Sequence, residues 1–308
     1  MKKLSVLVAC FNAEKHIEAC LCSLFSQTLS DFEIIIVDDG SSDKTVDIIY
    51  SLISGRENVL FFPRRLNIGT VKTRNELLKI ADSRSQYIAW CDADDVYHKD
   101  KLKIQYEFLK KNPDYLGCGS WYRKFGDQNR KVIKFVNPEA NRLFTCFGSP
   151  IGFPTFVQKN NIGIIFDESL ESSEDYAYIG RLAKLGKLTN VREYLTEYRV
   201  HAKQESTLNF QRQMQVHKKI SNDLCEFFLK NKSYLYHYVA NPAILDDKEL
   251  TTFISLLNVL DSEKDSKLLV AIFDYRFIVF NKKRISFLIK YILHRNIKLF
   301  NLAALYVR

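Results

Sequence analysis

The chain has 308 residues, 46% of them hydrophobic and 26% charged, and a formal net charge of +9. That length accommodates one large domain and a smaller one, and the composition excludes a disordered or collagen-like chain. From Tyr275 to Arg308 there are eight Lys/Arg and no acid, so the excess charge is terminal and the rest of the chain is close to neutral.

The N-terminal "MKKLSVLVAC" combines two lysines, an apolar stretch and a Leu-Val-Ala-Cys run that imitates a lipoprotein signal. The apolar stretch is too short for export and charged "NAEKH" follows it, so it reads as a first β-strand. Ala13 to Gln27 has helical spacing through Ile17, Cys20, Leu21 and Leu24. "FEIIIVDD" is an unbroken apolar strand, the pattern of a parallel strand covered on both faces. A helix over Lys44–Ser54, strand "NVLFFP", a helix over Thr70–Ala81, strand "YIAWCD" and a helix over Lys99–Lys111 complete four β-α repeats. This rhythm predicts an α/β fold, a mostly parallel sheet with helices on both faces.

The rhythm then fades. "YLGCGSWYRKF" and "KVIKFV" read as strands of another kind, and antiparallel pairing is one reading of them. "FGSPIGFPTFV" is a Gly/Pro-rich break. "SEDYAYIGRLAKLGK" reads as a helix capped by Ser172 or Ser173, with early acids and Gly186 near its end. "LTNVREYLTEYRVH" reads as a strand. From about Asn209 onward the pattern is helical, which divides the chain into residues 1–208 and 209–308. No stretch approaches the ~20 apolar residues of a membrane-spanning helix. The seven cysteines (10, 20, 22, 91, 118, 146 and 225) form no CxxC pair and no zinc spacing. They predict buried free thiols in a reducing, cytoplasmic setting.

In open α/β sheets ligands sit outside the carboxyl ends of the strands. Three polar clusters fall there: Ala9-Cys10-Phe11-Asn12, "VDDGSSD" with Asp38 and Asp39, and Asp92-Ala93-Asp94-Asp95. Crowded carboxylates raise one another's pKa unless a positive group joins them. From spacing alone two readings of the last cluster stand: Asp92 and Asp94 bind a hard cation, or Asp94 or Asp95 caps the following helix.

Five stretches together resemble glycosyltransferase family 2, with its GT-A, Rossmann-like fold. They are "SVLVACFNAEKHIEACLCSLFSQTLSDFEIIIVDDGSSDKT", "NIGTVKTRNELLKIA", "YIAWCDADD", "SEDYAYIGRLAKLGK" and "YRVHAKQES", in family order over about two-thirds of the chain. The resemblance implies an inverting transferase that uses a UDP-sugar and a divalent cation, Mn²⁺ or Mg²⁺. It assigns the nucleotide base to the backbone at Ala9, stacking by Phe11 and acceptance by Asp39. It assigns the metal to Asp94, with Asp92 on the ribose, donor sugar or metal. His201 is implied in the metal or diphosphate contacts. Arg199 is implied on phosphate or paired to a surface acid, and Lys72, Arg74 and Asn75 near the nucleotide-sugar or on a solvated face. Asp175 is implied as the catalytic base, kept ionised by the helix start, with Glu174 supporting it. The family commonly carries a proline soon after its DxD motif, where this chain has Val96-Tyr97-His98-Lys99.

"FNKKRISFLIKYILHRNIKLFNLAALYV" interleaves bases with apolar residues at helical spacing through Ile285, Leu288, Ile289, Ile292 and Leu293. It reads equally as a helix lying on an anionic membrane or as one packed on the chain or a second subunit. No motif accompanies the charge to suggest nucleic acid. The expected acceptor is a glycan or a lipid-linked molecule of a bacterial surface polysaccharide or lipopolysaccharide. A sugar-phosphate nucleotidyltransferase would instead need a Gly-rich basic first loop, which "ACFNAEKH" lacks. A non-catalytic nucleotide-sugar-binding scaffold would have lost the acidic set, which is present.

Overall fold

The computed structural model describes residues 2–201 and 210–230, together with 250–252, 254, 255, 257, 267 and 270–274. Strands β1 (Lys2–Cys10), β2 (Phe32–Asp38), β3 (Val59–Pro63) and β4 (Ser85–Asp92) alternate with helices α1 (Ile17–Phe25), α2 (Thr45–Ile53) and α3 (Thr70–Ala81). After them come β5 (Val96–Tyr97), α4 (Lys101–Lys111), β6 (Tyr115–Gly126), β7 (Arg130–Val132) and α5 (Pro138–Phe144). A 3₁₀ turn at Phe153–Thr155, β8 (Val157–Lys159), α6 (Glu174–Leu185), β9 (Lys187–Val200) and α7 (Phe210–Leu229) follow.

The sheet runs β3-β2-β1-β4-β8-β6-β9-β5, with β7 attached to β6. β1 to β4 pair in parallel. All seven residues of β2 are buried, as its unbroken apolar run requires for a strand covered on both faces. Leu4, Val6, Val8, Ile34 and Ile36 are fully buried in the core cluster that also holds Ile17, Leu21 and Leu24 of α1. Each such side chain contributes roughly 1.5–3 kcal/mol of transfer free energy.

The later strands are mixed. β8 is antiparallel to both β4 and β6, β7 is antiparallel to β6, and β5 is antiparallel to β9. The long β6–β9 pair is parallel, so antiparallel pairing holds for only part of this region. "KVIKFV" contributes a strand only as far as Val132.

The chain divides into two compact units, Met1–Lys134 with Ile151–His217, and Phe135–Pro150 with Lys218–Arg308. In the second unit Asn137 caps α5 by accepting from the Ala140 amide at 2.9 Å, with Pro138 in the first helical position. Phe147 meets Phe273 edge-on there, with centroids 5.5 Å apart. The boundary expected at 208/209 and the basic segment at 275–308 lie outside the described residues. Six of the seven cysteines are buried and all are free, while Cys22 is exposed. Among the described residues no helix is long and apolar enough to cross a membrane.

Candidate active site

Register brings the polar strand ends into line. Cys10 pairs with Asp38, and Ala9 with Asp92. Phe11, the first residue past β1, is 49% exposed and its ring is open to a planar partner.

Asp38 and Asp39 are both buried but do different work. Asp38 shapes its own turn, accepting from the Ser41 amide and hydroxyl. Gly40 has φ +77°, and a Cβ there would stand 2.7 Å from the Asn67 amide nitrogen, so the turn excludes larger residues. Asp39 accepts from the amides of Ile68 at 3.0 Å and Gly69 at 2.9 Å and pairs with Arg64 at 3.3 Å. It thereby pins the loop from which α3 starts.

Helix α3 then delivers Arg74, which is buried. Its Nη1 donates to Glu174 Oε1 at 2.7 Å and its Nη2 to Asp92 Oδ1 at 3.2 Å. The guanidinium lies 4.5 Å from the Phe153 ring centroid and 5.7 Å from that of Phe166. Behind it Phe166 stacks on Tyr178 at 4.2 Å, and Trp90 meets both edge-on. This aromatic layer fixes the cation laterally and keeps water from it.

At the β4 end the three aspartates separate in role. Burial raises the Asp92 carboxyl, Arg74 opposes this, and Asp94 adds to it. Asp94 Oδ2 lies 3.2 Å from His201 Nε2, at the end of β9. Asp95 is fully buried; its Oδ1 accepts from the Arg199 amide at 2.7 Å and its Oδ2 has no hydrogen-bond partner among the described residues. Neither Asp94 nor Asp95 caps the next helix, because α4 begins only at Lys101 with Asp100 before it.

Cations with metal–ligand bonds of ~2.1 Å hold neighbouring ligands ~3 Å apart, close to the Asp94–His201 separation. A carboxylate oxygen and an imidazole nitrogen are a donor set that a divalent ion accepts. No group of three His, Cys, Asp or Glu able to hold a metal occurs among the described residues. The Asp94–His201 pair by itself fits an ion that takes its remaining ligands from water and substrate phosphate.

Asp175 opens α6, next to Glu174. Burial first, then the Glu174 charge, push its carboxyl up to about 6, against the pull of Arg74 and of the Tyr176 amide, which donates to its Oδ1 at 2.7 Å. Burial thus holds this carboxyl above the ordinary carboxylate range while leaving it mostly ionised at neutral pH. Ser173 does stand at the cap position, with φ 57°, but makes no side-chain cap bond.

Other expected contributors are differently employed. The Arg199 side chain donates to the Asp94 carbonyl at 2.8 Å and covers the Phe125 ring at 4.3 Å, so it braces the acidic turn. Asn75 exchanges bonds with both backbone atoms of Phe166 and donates to Glu168. Lys72 is exposed on α3 and makes no ion pair or hydrogen bond among the described residues. Asp39, Arg74, Asp92, Asp94, Glu174, Asp175 and His201 are thus linked along one rim by direct contacts, shared loops and charge. Sequence reasoning missed Phe153, Phe166 and Arg64. The Gly/Pro break around Phe153 and the second basic residue pair "RR" were the available signals.

A parallel sheet with a mixed extension, carrying its carboxylates along one rim, is the architecture of an α/β enzyme that binds its ligand outside the carboxyl ends of the strands. The model of the family described as glycosyl transferase family 2 matches residues 5–157. An uncharacterised glycosyltransferase of Haemophilus influenzae is 25% identical, across 97% of this chain and 92% of its own. One of Methanocaldococcus jannaschii is 30% identical, across 64% of this chain and 70% of its own. The chain belongs to glycosyltransferase family 2. Its fold matches that of S. aureus TarS in complex with UDP-GlcNAc, with TM-score 0.61 at 19% identity over 96% of this chain and 90% of that one. A mannosyltransferase of Pyrobaculum calidifontis in complex with GDP-Man and Mn²⁺ matches with TM-score 0.54 at 14% identity, over 94% and 87%.

Proposed function

We propose that this glycosyltransferase moves a sugar from a UDP-sugar to a hydroxyl of a glycan or lipid-linked acceptor, with inversion at the anomeric carbon. The observation that carries the reading is the bridge from Asp92 through Arg74 to Glu174, which sets donor-side and acceptor-side carboxylates against one cation. Phe11 stacks on the base, the Ala9 backbone and Asp39 read its edge, and Asp92 orients the ribose or donor sugar. The UDP and UDP-GlcNAc complexes of the TarS relative support a uridine donor.

Asp94 and His201 would hold a divalent cation, Mn²⁺ or Mg²⁺, with Asp92 alongside; when bound it neutralises charge on the departing diphosphate. The rest is done by the chain. Asp175 takes the proton from the acceptor hydroxyl as its oxygen attacks the anomeric carbon, and the C–O bond to UDP breaks on the opposite face. A carboxyl held near 6 is mostly ionised at neutral pH yet basic enough to accept that proton. Glu174, neutralised by Arg74, orients the acceptor.

The setting we infer is surface-polysaccharide or lipopolysaccharide assembly at the cytoplasmic face of a membrane, and the basic run at 275–308 supports a peripheral attachment. The test is consumption of a nucleotide-sugar panel with Mn²⁺ or with EDTA. UDP-sugars are expected to turn over only with the metal. Asp175→Asn should keep UDP affinity and lose transfer by about 10²–10⁴; normal transfer by that variant would overturn the base assignment.

A further inference from the structure

His16 stands at the cap position of α1, immediately before Ile17. Its ring centroid lies 5.5 Å from that of His201, with the two planes tilted by 39°. Aromatic rings attract one another in offset or tilted arrangements over roughly 4.5–7 Å between centroids. On its other side, His201 Nε2 lies 3.2 Å from Asp94 Oδ2. A continuous run of contacts therefore joins α1, the residue after β9 and the turn after β4.

The place of His16 follows from the way α1 packs. Helix residues three, four and seven apart share a face. Four residues after His16, the Cys20 thiol donates to the Asp92 carbonyl at 3.6 Å. Three residues further, Ser23 Oγ accepts from the Tyr97 amide at 3.0 Å. Just past the helix, Gln27 Nε2 donates to the His98 carbonyl at 2.9 Å. One face of α1 thus runs along residues 92–98, and His16 is where that face reaches the Asp94–His201 pair. The start of α1 is itself anchored. The Ala13 amide donates to Thr45 Oγ1 at 2.7 Å, the Glu14 amide to Asp43 Oδ2 at 3.1 Å and the His16 amide to the Ala13 carbonyl at 2.9 Å.

His201 has less support of its own. It lies one residue past β9, and the β6–β9 ladder ends at Val200. An imidazole touched only at one nitrogen can still swing about that contact, whereas a ring packed on its face cannot. Among the described residues no three His, Cys, Asp or Glu are placed to hold a metal together. His16 is therefore set to act on an ion through His201 rather than as a further ligand.

We propose that His16 is a positioning residue of the cation site: its ring, carried on the anchored start of α1, fixes the His201 imidazole beside Asp94. This role rests on the cation reading given above for Asp94 and His201, and adds to it the residue that holds the pair in register. Groups that orient a metal ligand commonly contribute 10–100-fold to metal affinity.

The full-length chain is titrated with Mn²⁺, followed by the EPR signal of the free ion, with and without UDP. His16→Ala should weaken Mn²⁺ binding about tenfold. His16→Phe, which keeps a planar ring against His201, should stay within about twofold of wild type. In the His201→Ala background His16→Ala should cause no further loss, because it acts through that ring alone. UDP affinity measured without metal should be unchanged throughout. Should His16→Ala fail to fold, His16→Gln, which removes the ring and keeps a polar side chain, takes its place with the same expectation. Undiminished Mn²⁺ binding by the ring-deleted variant overturns the role. An equal loss in His16→Phe overturns it too, and if that loss also adds to the loss of His201→Ala, His16 is itself a ligand. A wild-type chain that binds Mn²⁺ no better than Asp94→Asn sinks the cation reading and this role with it. Binding that Asp94→Asn loses and His16→Ala keeps removes this role alone.

Discussion

Arg74 and Glu174, one hundred positions apart in the chain, meet at 2.7 Å. The same guanidinium reaches Asp92 at 3.2 Å, so one side chain ties the end of β4 to the start of α6. Asp92 depends on it most, because burial and the Asp94 charge both oppose ionisation of that carboxyl and Arg74 favours it.

Arg74→Met should therefore destabilise the chain by about 3–5 kcal/mol in urea denaturation, since it strands two carboxylates beside an aromatic wall. Arg74→Lys should recover part of this, as one ammonium cannot reproduce a forked pair. Arg74→Met should shift the acid limb of the rate profile upward in pH, because the Arg74 charge holds the Asp175 carboxyl down, and Arg74→Lys, which keeps a positive charge, should shift it less.

Asp175 links stability to pH. Glu174 beside it, Arg74 of α3, Asp92 of β4 and Lys134 past β7 are the charges that face it. Its folded pKa, about 6, lies above the ordinary 3.8, so the folded chain binds this proton more tightly than the unfolded one. The associated stability is present below about pH 4 and is lost as pH rises to about 6. Asp175→Asn should therefore raise stability on the order of 1 kcal/mol near pH 8 and change it little near pH 4. Melting temperatures of both chains across that range check the sign. In the wild type, kcat/KM for transfer should fall below about pH 6, as the base protonates.

Asp94 and His201 should fail together. Asp94→Asn and His201→Ala are each expected to weaken Mn²⁺-dependent UDP binding about 10–100-fold, with metal-free UDP binding retained. Calorimetric titration with and without the ion measures both. A double variant no worse than either single one would show that the pair acts as one unit.

Asp95 offers the contrast. Asp95→Asn keeps the oxygen that accepts from the Arg199 amide, and its second polar atom replaces an oxygen that has no partner among the described residues. Its stability should change by less than about 1 kcal/mol, with Mn²⁺-dependent UDP binding preserved. Asp95→Leu removes the acceptor and should cost about 1–3 kcal/mol. Thermal denaturation of the two variants separates a structural role from metal ligation one residue away.

Much of this was legible in residue order. The β-α rhythm follows from apolar periodicity, and α3 spans the Thr70–Ala81 that spacing predicts. Asp39, Asp92, Asp94 and Asp175 stand out because their neighbours form recognisable stretches. The contacts between those stretches are another matter. Nothing local in "VKTRNELL" says that Arg74 reaches α6, because tertiary packing alone brings that partner near. The three-residue strand β8 threads between β4 and β6 on so few bonds that no propensity could announce it. The raised pKa of Asp175 was not legible for a related reason: the helix start is visible in sequence, whereas the burial that lifts the carboxyl is not.

The hairpin strand β7 pairs with β6 alone and lies off the main path of the sheet. Its removal or replacement breaks no other ladder, while β9 next door carries Arg199 at its end and His201 just beyond, and must stay in register. A segment as short as residues 126–132 can therefore vary in length or sequence without disturbing the long ladder that carries Arg199.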